Sequence, residues 1–203
     1  MVTIVNYGMG NLGSVENMFK RIGVATEITG DVNKIEQAQK LLLPGVGAFG
    51  AAMQRIEESG LKNILDKKVL EDKIPLLGIC LGMQLLTRSS EEALLPGLGW
   101  IQAQTLKFNF PANSSLKVPH MGWNIAHSVK QSRLTENFVE EPKFYFVHSY
   151  YVKADNTDDV VSTTHHGIDF DSIIQHENIY GAQFHPEKSH KFGMRLFENF
   201  ARI

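Results

Sequence analysis

Two hydrophobic patterns divide the sequence. Up to about residue 97, short apolar runs alternate with segments in which apolar residues recur at helical spacing. An apolar run without alternation is typical of a strand buried on both faces, and the helical spacing is typical of an amphipathic helix. Strands are therefore predicted at 2–6, 25–28 and 40–43 and in a run that leads from Ile74 into Cys80, and helices at 12–22, 33–37, 49–59 and 61–70.

Beyond residue 97 the pattern changes to short strands separated by turn residues. Strands are predicted at 100–108, 144–151, 160–164, 172–175 and 180–184, loops at 109–116 and 135–142, and a closing helix at 191–200. The whole pattern predicts an α/β fold with an open, mostly parallel central sheet flanked by helices and an added antiparallel β-rich portion in the C-terminal half. A length of 203 residues suits a single domain spanning 1–203.

Composition narrows the class of protein. A hydrophobic share of 43% and a charged share of 21% are typical of a soluble globular protein. The net charge is −2 without a basic run, which argues against a nucleic acid or an anionic membrane as partner. No apolar stretch is long enough to span a bilayer, and the first residues do not read as a secretory signal. One cysteine cannot form an internal disulfide, so a cytoplasmic location is expected.

That single cysteine, Cys80, lies in the pentapeptide Gly-Ile-Cys-Leu-Gly at 78–82, between a predicted strand and helix-forming residues. This layout is the thiol version of a nucleophile elbow, in which a sharp strand-to-helix turn exposes a reactive side chain. The two glycines permit the turn, and the helix N-terminus favours a thiolate. A buried structural cysteine is the alternative that the pentapeptide alone leaves open.

A thiol nucleophile needs a base, and the base needs a third group to orient it. His185 follows the predicted strand 180–184, and Glu187 lies two residues further on. Residues two apart in extended chain point the same way, so Glu187 can contact the His185 ring, with Pro186 stiffening the segment. Cys80, His185 and Glu187 are thus the predicted catalytic residues. No metal site is expected, because the histidine pair at 165–166 lacks further ligands at suitable spacing.

A glycine-rich turn follows the strand 40–43, with the sequence Leu-Pro-Gly-Val-Gly-Ala-Phe at 43–49. It is not a nucleotide phosphate loop, because no Gly-Lys-Ser/Thr follows. We interpret it as part of an oxyanion hole, with backbone donors from Val46, Gly47 and Leu81. A plain strand-to-helix turn is the structural alternative.

Together, the segments 44–47, 78–84 and 183–187 resemble the three landmarks of the class I glutamine amidotransferases, in the same order along the chain. The resemblance implies that Cys80 attacks the side-chain amide of glutamine, that His185 transfers the proton and that Glu187 orients His185. It also implies that Gly45 and Gln84 help to bind glutamine. No cofactor is expected.

Three more segments, 6–12, 119–124 and 145–150, resemble the glutaminase subunit of imidazole glycerol phosphate synthase. In that family the glutaminase forms a heterodimer with a (β/α)₈ cyclase, which receives the ammonia and makes imidazole glycerol phosphate and AICAR in histidine biosynthesis. The resemblance places His148, Ser149 and Tyr150 beside the bound glutamine. It places a second set towards the cyclase, namely Gly8, Asn11, Met121, Trp123 and Asn124.

Other functions remain open from the sequence. A paralogous glutaminase copy could supply ammonia for aminosugar or surface-polysaccharide synthesis, and the segments 98–101 and 188–192 look closer to such second copies. A stand-alone cysteine hydrolase would share the elbow but would work without a partner. A non-catalytic regulatory subunit is disfavoured, because Cys80, His185 and Glu187 are all present.

Overall fold

A computed structural model describes residues 1–203, and its core is an eleven-stranded sheet beside a two-stranded one. The strands, in chain order, are β1 (Val2–Val5), β2 (Thr26–Thr29), β3 (Leu41–Gly45), β4 (Leu76–Cys80), β5 (Ser89–Ser90), β6 (Ala103–Lys107), β7 (His120–Ile125), β8 (His127–Ser128), β9 (Lys143–His148), β10 (Tyr150–Ala154), β11 (Val160–His165), β12 (Asp169–His176) and β13 (Ile179–Ala182). The large sheet has the order β2-β1-β3-β4-β13-β12-β10-β6-β5, with β11 beside β12 and β8. Strands β7 and β9 form the small sheet.

Helices join and cover the strands. The α-helices are α1 (Leu12–Arg21), α2 (Val32–Glu36), α3 (Phe49–Glu58), α4 (Leu61–Asp66), α5 (Leu81–Leu85) and α6 (His190–Arg202). A π-helical turn, Lys67–Glu71, continues α4, so the helical segment predicted at 61–70 is present with a change of winding at its end. None of the helices combines the length and the hydrophobicity that a membrane span requires.

The sheet changes character at β13. Strands β2, β1, β3, β4 and β13 are parallel to one another, whereas β12 and β10 pair with their neighbours in antiparallel fashion. This confirms the predicted fold class. The parallel half matters for function, because parallel strands bring their carboxyl ends to one edge, where binding sites form. Residues 45, 80 and 182 end three neighbouring strands at that edge.

Two hydrophobic clusters fill the two faces of the sheet. Alternate residues of β3 divide between them: Leu41 and Leu43 face the cluster under α3 and α4, and Leu42 faces the cluster under α1 and α6. In the second cluster Phe19 of α1 stacks on Phe197 of α6, with ring centroids 4.5 Å apart. Leu196, Phe197 and Phe200 recur at helical spacing in the closing helix, and all three belong to this core cluster.

Two strand predictions are wrong in extent. The predicted strand 144–151 is two strands, β9 and β10, which end and begin on either side of Ser149 and belong to different sheets. The predicted strand 100–108 is reduced to β6, while Trp100 and Ile101 are buried without strand pairing. Strand β7 is an addition that the hydrophobic pattern does not predict. Side chains alternate in a similar way in β9 and in β10, so the hydrophobic pattern gives no sign of the break between these two strands.

Candidate active site

A cavity of about 290 Å³ opens at the carboxyl edge of the parallel strands. It brings together most of the residues that the sequence nominates: Val46, Gly47, Cys80, Leu81, Gln84, His148, Ser149, Tyr150 and His185. Glu187 lies behind His185 and Gly45 lies opposite Cys80 in the strand register. The predicted partner-facing residues are outside this lining.

Cys80 has a strained backbone that fits a nucleophile elbow. Its φ of 53° and ψ of −109° are rare for a residue with a side chain, and it is at once the last residue of β4 and the N-cap of α5. The flanking glycines are needed for space: a Cβ on Gly82 would lie 1.9 Å from the Leu43 carbonyl oxygen, and one on Gly78 would lie 2.7 Å from that of Gly82. The turn therefore holds the Cys80 thiol at the cavity while its residue stays largely buried.

His185 and Glu187 form a buried pair. The Nδ1 atom of His185 lies 2.8 Å from Oε1 of Glu187, and both side chains are almost fully buried. The sequence predicts this contact from extended geometry, and that reason is wrong. Glu187 lies in a 3₁₀ turn, Pro186–Lys188, which Pro186 begins. The turn, not a strand, brings the carboxylate back to the ring.

The charge state of His185 follows from its neighbours. Burial alone would lower its pKa, but hydrogen bonds to Cys80 and to Glu187, reinforced by the charges of both, outweigh burial and raise the pKa to about 10. The imidazolium is therefore stable at neutral pH. Since Glu187 occupies Nδ1, the Nε2 atom is the one left to face Cys80.

Ser189 fixes this turn, although no sequence motif marks it. Its hydroxyl donates to the carbonyl oxygen of His185 at 2.6 Å and accepts from the backbone N–H of Tyr145 at 3.0 Å. The residue is fully buried. The Ser189 hydroxyl thus connects β9 to the turn that contains His185. A serine two residues after Glu187 is too common a feature to signal this role.

The glycine-rich turn is built to present free donors. The backbone N–H groups of Val46 and Gly47 make no hydrogen bond to protein atoms, and Gly47 has a φ of 125°, which favours glycine. Tyr7 braces the turn by donating its hydroxyl to the Pro44 carbonyl at 2.7 Å, and a Cβ on Gly45 would lie 2.7 Å from that hydroxyl oxygen. Unpaired donors at a cavity are what an anion or oxyanion requires.

One glutamine side chain, that of Gln84, lines the cavity and bonds to a second, fully buried one, that of Gln183. The amide nitrogen of Gln84 donates to the Tyr150 carbonyl at 3.0 Å and to Oε1 of Gln183 at 3.2 Å. The amide nitrogen of Gln183 in turn lies 3.9 Å from Sγ of Cys80, a weak hydrogen bond to sulfur. Gln183 is fully buried and is not among the site residues that the sequence predicts. Gln183 is the first residue of the segment 183–187, and that place in the segment is the signal that could have found it.

One carboxylate at the cavity, that of Glu92, is not among the site residues that the sequence predicts. Glu92 lines the cavity, and its Oε2 accepts from the N–H of Phe49, the first residue of α3, at 3.0 Å. A carboxylate at a helix N-terminus is favourably placed, because the helix dipole is positive there. Glu92 lies on a loop without a motif, so no local pattern indicates its role.

Four of the five residues predicted to face the partner are exposed. Gly8 and Asn11 are exposed, as are Met121 and Trp123, whose exposed fractions are 62% and 49%. Asn124 differs, because its amide is half-buried and bonds within the chain. No group of three or more His, Cys, Asp or Glu side chains is arranged to hold a metal ion.

Comparison with known proteins agrees with this geometry. The sequence matches the class I glutamine amidotransferase family over residues 3–203. Among curated relatives, it is 52% identical to imidazole glycerol phosphate synthase subunit HisH 2 of Methanococcus maripaludis, covering 100% of this chain and 99% of the relative. It is 47% identical to the HisH subunit of Sulfurimonas denitrificans, with coverage of 100% and 98%.

Solved structures agree on the fold. A glutamine amidotransferase crystal structure matches with a TM-score of 0.76 at 18% identity, covering 100% of both chains. The structure of PurLQS from Thermotoga maritima matches with a TM-score of 0.74 at 16% identity, covering 99% of this chain and 97% of that one. At these identities the likeness speaks for the fold alone. The family match and the curated relatives go further: the chain belongs to the class I glutamine amidotransferases, in the family of the HisH subunits of imidazole glycerol phosphate synthase.

Proposed function

We propose that this chain is the glutaminase subunit of an imidazole glycerol phosphate synthase. It hydrolyses glutamine to glutamate and ammonia, and passes the ammonia to a (β/α)₈ cyclase that makes imidazole glycerol phosphate and AICAR in histidine biosynthesis. The observation that carries the proposal is the strained Cys80 at a cavity that it shares with His185 and the unpaired N–H groups of the glycine-rich turn. A cytoplasmic location is part of the proposal.

The first step forms a thioester. The Cys80 thiolate attacks the side-chain carbonyl carbon of glutamine, and the carbonyl oxygen becomes an oxyanion. The N–H groups of Val46, Gly47 and Leu81 stabilise that oxyanion, as preorganised donors do in acyl transfer. When the tetrahedral intermediate collapses, its C–N bond breaks and the His185 imidazolium gives its proton to the leaving nitrogen, which departs as ammonia.

The second step releases glutamate. Neutral His185 now takes a proton from water, and the hydroxide attacks the γ-glutamyl thioester. The C–S bond breaks, glutamate leaves, and the thiolate is regenerated beside the imidazolium. Throughout, the Glu187 carboxylate accepts from Nδ1 and keeps Nε2 directed at Cys80, so the histidine can change charge without turning.

Glutamine recognition is assigned to the polar groups around the cavity. Oε1 of Gln84 makes no protein hydrogen bond and can accept from the substrate, while both hydrogens of its amide are already used. Glu92 supplies a negative charge that suits the α-ammonium group. The segment 148–150 forms another wall, and Gly45 keeps the cavity open where a side chain would collide with its neighbours.

The partner is inferred from the relatives, whose names describe subunits of a larger enzyme. We assign Gly8, Asn11, Met121 and Trp123, together with the backbone of Asn124, to the heterodimer interface with the cyclase. The cyclase would then receive ammonia from the neighbouring cavity. The aminosugar alternative is not favoured, because the curated relatives with high coverage are named as imidazole glycerol phosphate synthase subunits.

Replacement of the nucleophile tests the proposal. The Cys80→Ala protein, mixed with the cyclase and its ribonucleotide ligand, should release no glutamate from glutamine yet still bind the cyclase. A matched control is Ser128→Ala, whose hydroxyl bonds only to a surface carbonyl and which should hydrolyse glutamine like the wild type. Glutamate release by Cys80→Ala at the wild-type rate would rule out the assigned nucleophile.

A further inference from the structure

A continuous series of hydrogen bonds links the β7–β9 sheet to the nucleophile and is not part of the triad. We call it the amide–imidazole chain. Its members are, in order, Asn124, His120, His148, the Tyr150 carbonyl, Gln84, Gln183 and Cys80. The series begins on β7, next to the exposed Trp123, and ends at the reacting sulfur.

The first three links join β7 to the cavity wall. Nδ2 of Asn124 lies 3.2 Å from Nε2 of His120, and Nδ1 of His120 lies 3.0 Å from Nε2 of His148. Nδ1 of His148 lies 2.7 Å from the Tyr150 carbonyl oxygen. His120 and His148 face each other directly across the β7–β9 ladder. The end of β9 is therefore fixed in two ways, by strand pairing with β7 and by the hydrogen bonds of the two imidazoles.

The bonding partners allow one direction for every hydrogen bond in the chain. A carbonyl oxygen only accepts, so Nδ1 of His148 carries a hydrogen, and in a neutral ring Nε2 of His148 must then accept. Nδ1 of His120 must therefore donate, which leaves its Nε2 to accept from the Asn124 amide. The amide of Asn124 is fixed in turn, because its oxygen accepts from the Ile125 N–H and its nitrogen also donates to the His165 carbonyl.

Both imidazoles are neutral. The pKa of His148 is lowered to about 3 and the pKa of His120 to about 4, chiefly by burial, with the nearby His166 acting in the same direction. Aromatic rings surround them: the His120 ring lies 4.9 Å from the Phe146 ring, and the His148 ring lies 5.1 Å from the Phe170 ring. Rings that are packed on all sides and bonded at both nitrogens have little freedom to turn.

The pocket end of the chain depends on this order. The Tyr150 carbonyl accepts from His148 and from Gln84, which uses both of its lone pairs. With one amide hydrogen of Gln84 held there, the other points at Oε1 of Gln183, so the amide nitrogen of Gln183 faces the Cys80 sulfur. Reversal of any amide or imidazole would place two donors or two acceptors against each other.

We infer that His120 and His148 are positioning residues, which orient Gln84 and Gln183 through the Tyr150 carbonyl so that Gln183 donates a hydrogen bond to the Cys80 thiolate. The inference rests on the proposed function only in making that thiolate the nucleophile for glutamine.

Alkylation of the sole cysteine tests the chain. The midpoint of the pH profile for reaction of Cys80 with iodoacetamide should move to higher pH by about half a unit or more in His120→Phe, because the thiolate loses an oriented donor. His120→Asn retains a donor near the position of Nδ1 and should return the midpoint most of the way to the wild-type value. The matched control is His166→Phe, which keeps a ring stacked on His120 but removes only a bond to the Lys117 carbonyl. Equal midpoints for His120→Phe and the control would overturn the inference.

Histidine NMR provides a readout on the unmodified chain that needs neither a variant nor glutamine turnover. With ¹⁵N-labelled histidine, both His120 and His148 should show the Nδ1–H tautomer, and a scalar coupling should connect His120 Nδ1 to His148 Nε2 through the shared hydrogen. An Nε2–H tautomer or a protonated ring at either position would overturn the inference. Because neither measurement uses glutamine, a chain without glutaminase activity that still gave both results would contradict only the proposed function.

Discussion

Two histidine–carboxylate pairs of this chain have similar nitrogen–oxygen distances but opposite exposure to solvent. His185 and Glu187 are separated by 2.8 Å with both side chains buried, whereas His127 and Glu141 are separated by 3.0 Å with side chains 51% and 66% exposed. Exposed pairs contribute little because solvent screens them and the side chains lose entropy. In the first pair burial disfavours a charge on His185, but hydrogen bonds to Cys80 and Glu187 outweigh burial and raise the pKa of His185 to about 10.

The largest difference between the two pairs should appear when each histidine is removed. His185→Ala should lower the rate of glutamine hydrolysis by about a thousandfold or more, since the thioester step loses its proton donor. His127→Ala should leave the rate within about twofold. Both variants are assayed in complex with the cyclase, by glutamate release. Similar losses in the two variants would mean that burial of the pair is irrelevant to the chemistry.

Neutralising the carboxylates is the next largest change. Glu187→Gln keeps an acceptor for Nδ1 but removes the negative charge, so kcat should fall by about a hundredfold while KM changes little. The matched change Glu141→Gln should alter neither parameter. Steady-state kinetics of both complexes decide the point, and a change confined to KM in Glu187→Gln would assign Glu187 to substrate binding instead.

The pH dependence of His185 sharpens the comparison. Its pKa is raised to about 10 in the folded chain from an ordinary value of 6.5, so its contribution to stability is fully present below about pH 6.5 and is lost as pH rises towards 10. Cys80→Ala removes one hydrogen-bond partner and one charge, so the His185 pKa should fall in that variant. NMR titration of the His185 ring measures both values. An unchanged pKa in Cys80→Ala would show that the thiolate is not paired with the imidazolium.

The smallest predicted effect concerns the support of the buried pair. Ser189→Ala removes a buried hydroxyl with two partners and should lower the free energy of unfolding by about 1–2 kcal/mol and kcat several-fold. Ser128→Ala, at an exposed serine, should cost less than about 0.5 kcal/mol. Urea unfolding measures both differences. If the kcat of Ser189→Ala equals that of the wild type, the turn does not need Ser189 to place His185.

The residues that we propose as catalytic could be nominated from the sequence because each lies beside a local signal. Cys80 follows an apolar run between two glycines, and His185 follows another apolar run. Parallel pairing then brings such strand ends to one edge of the sheet. The same reasoning supports the glycine-rich turn at Gly47, where the positive φ explains the residue type.

The remaining parts of the site depend on contacts that no local pattern encodes. His120 and His148 are 28 positions apart, and Gln84 and Gln183 are 99 apart. Ser149 separates two strands whose alternation is continuous, so the change of sheet is a tertiary event. For His185 and Glu187 the contact could be predicted from the sequence, but the 3₁₀ turn that produces it could not.

A glutamine-mimicking electrophile gives the most direct test that the cavity uses Cys80 to attack glutamine. After incubation with a diazoketone analogue of glutamine, intact-mass and peptide analysis should find one adduct, on the peptide containing Cys80, and excess glutamine should slow its formation. Absence of the adduct, or formation at the same rate with and without glutamine, would contradict the assignment of Cys80 as the nucleophile of a glutaminase.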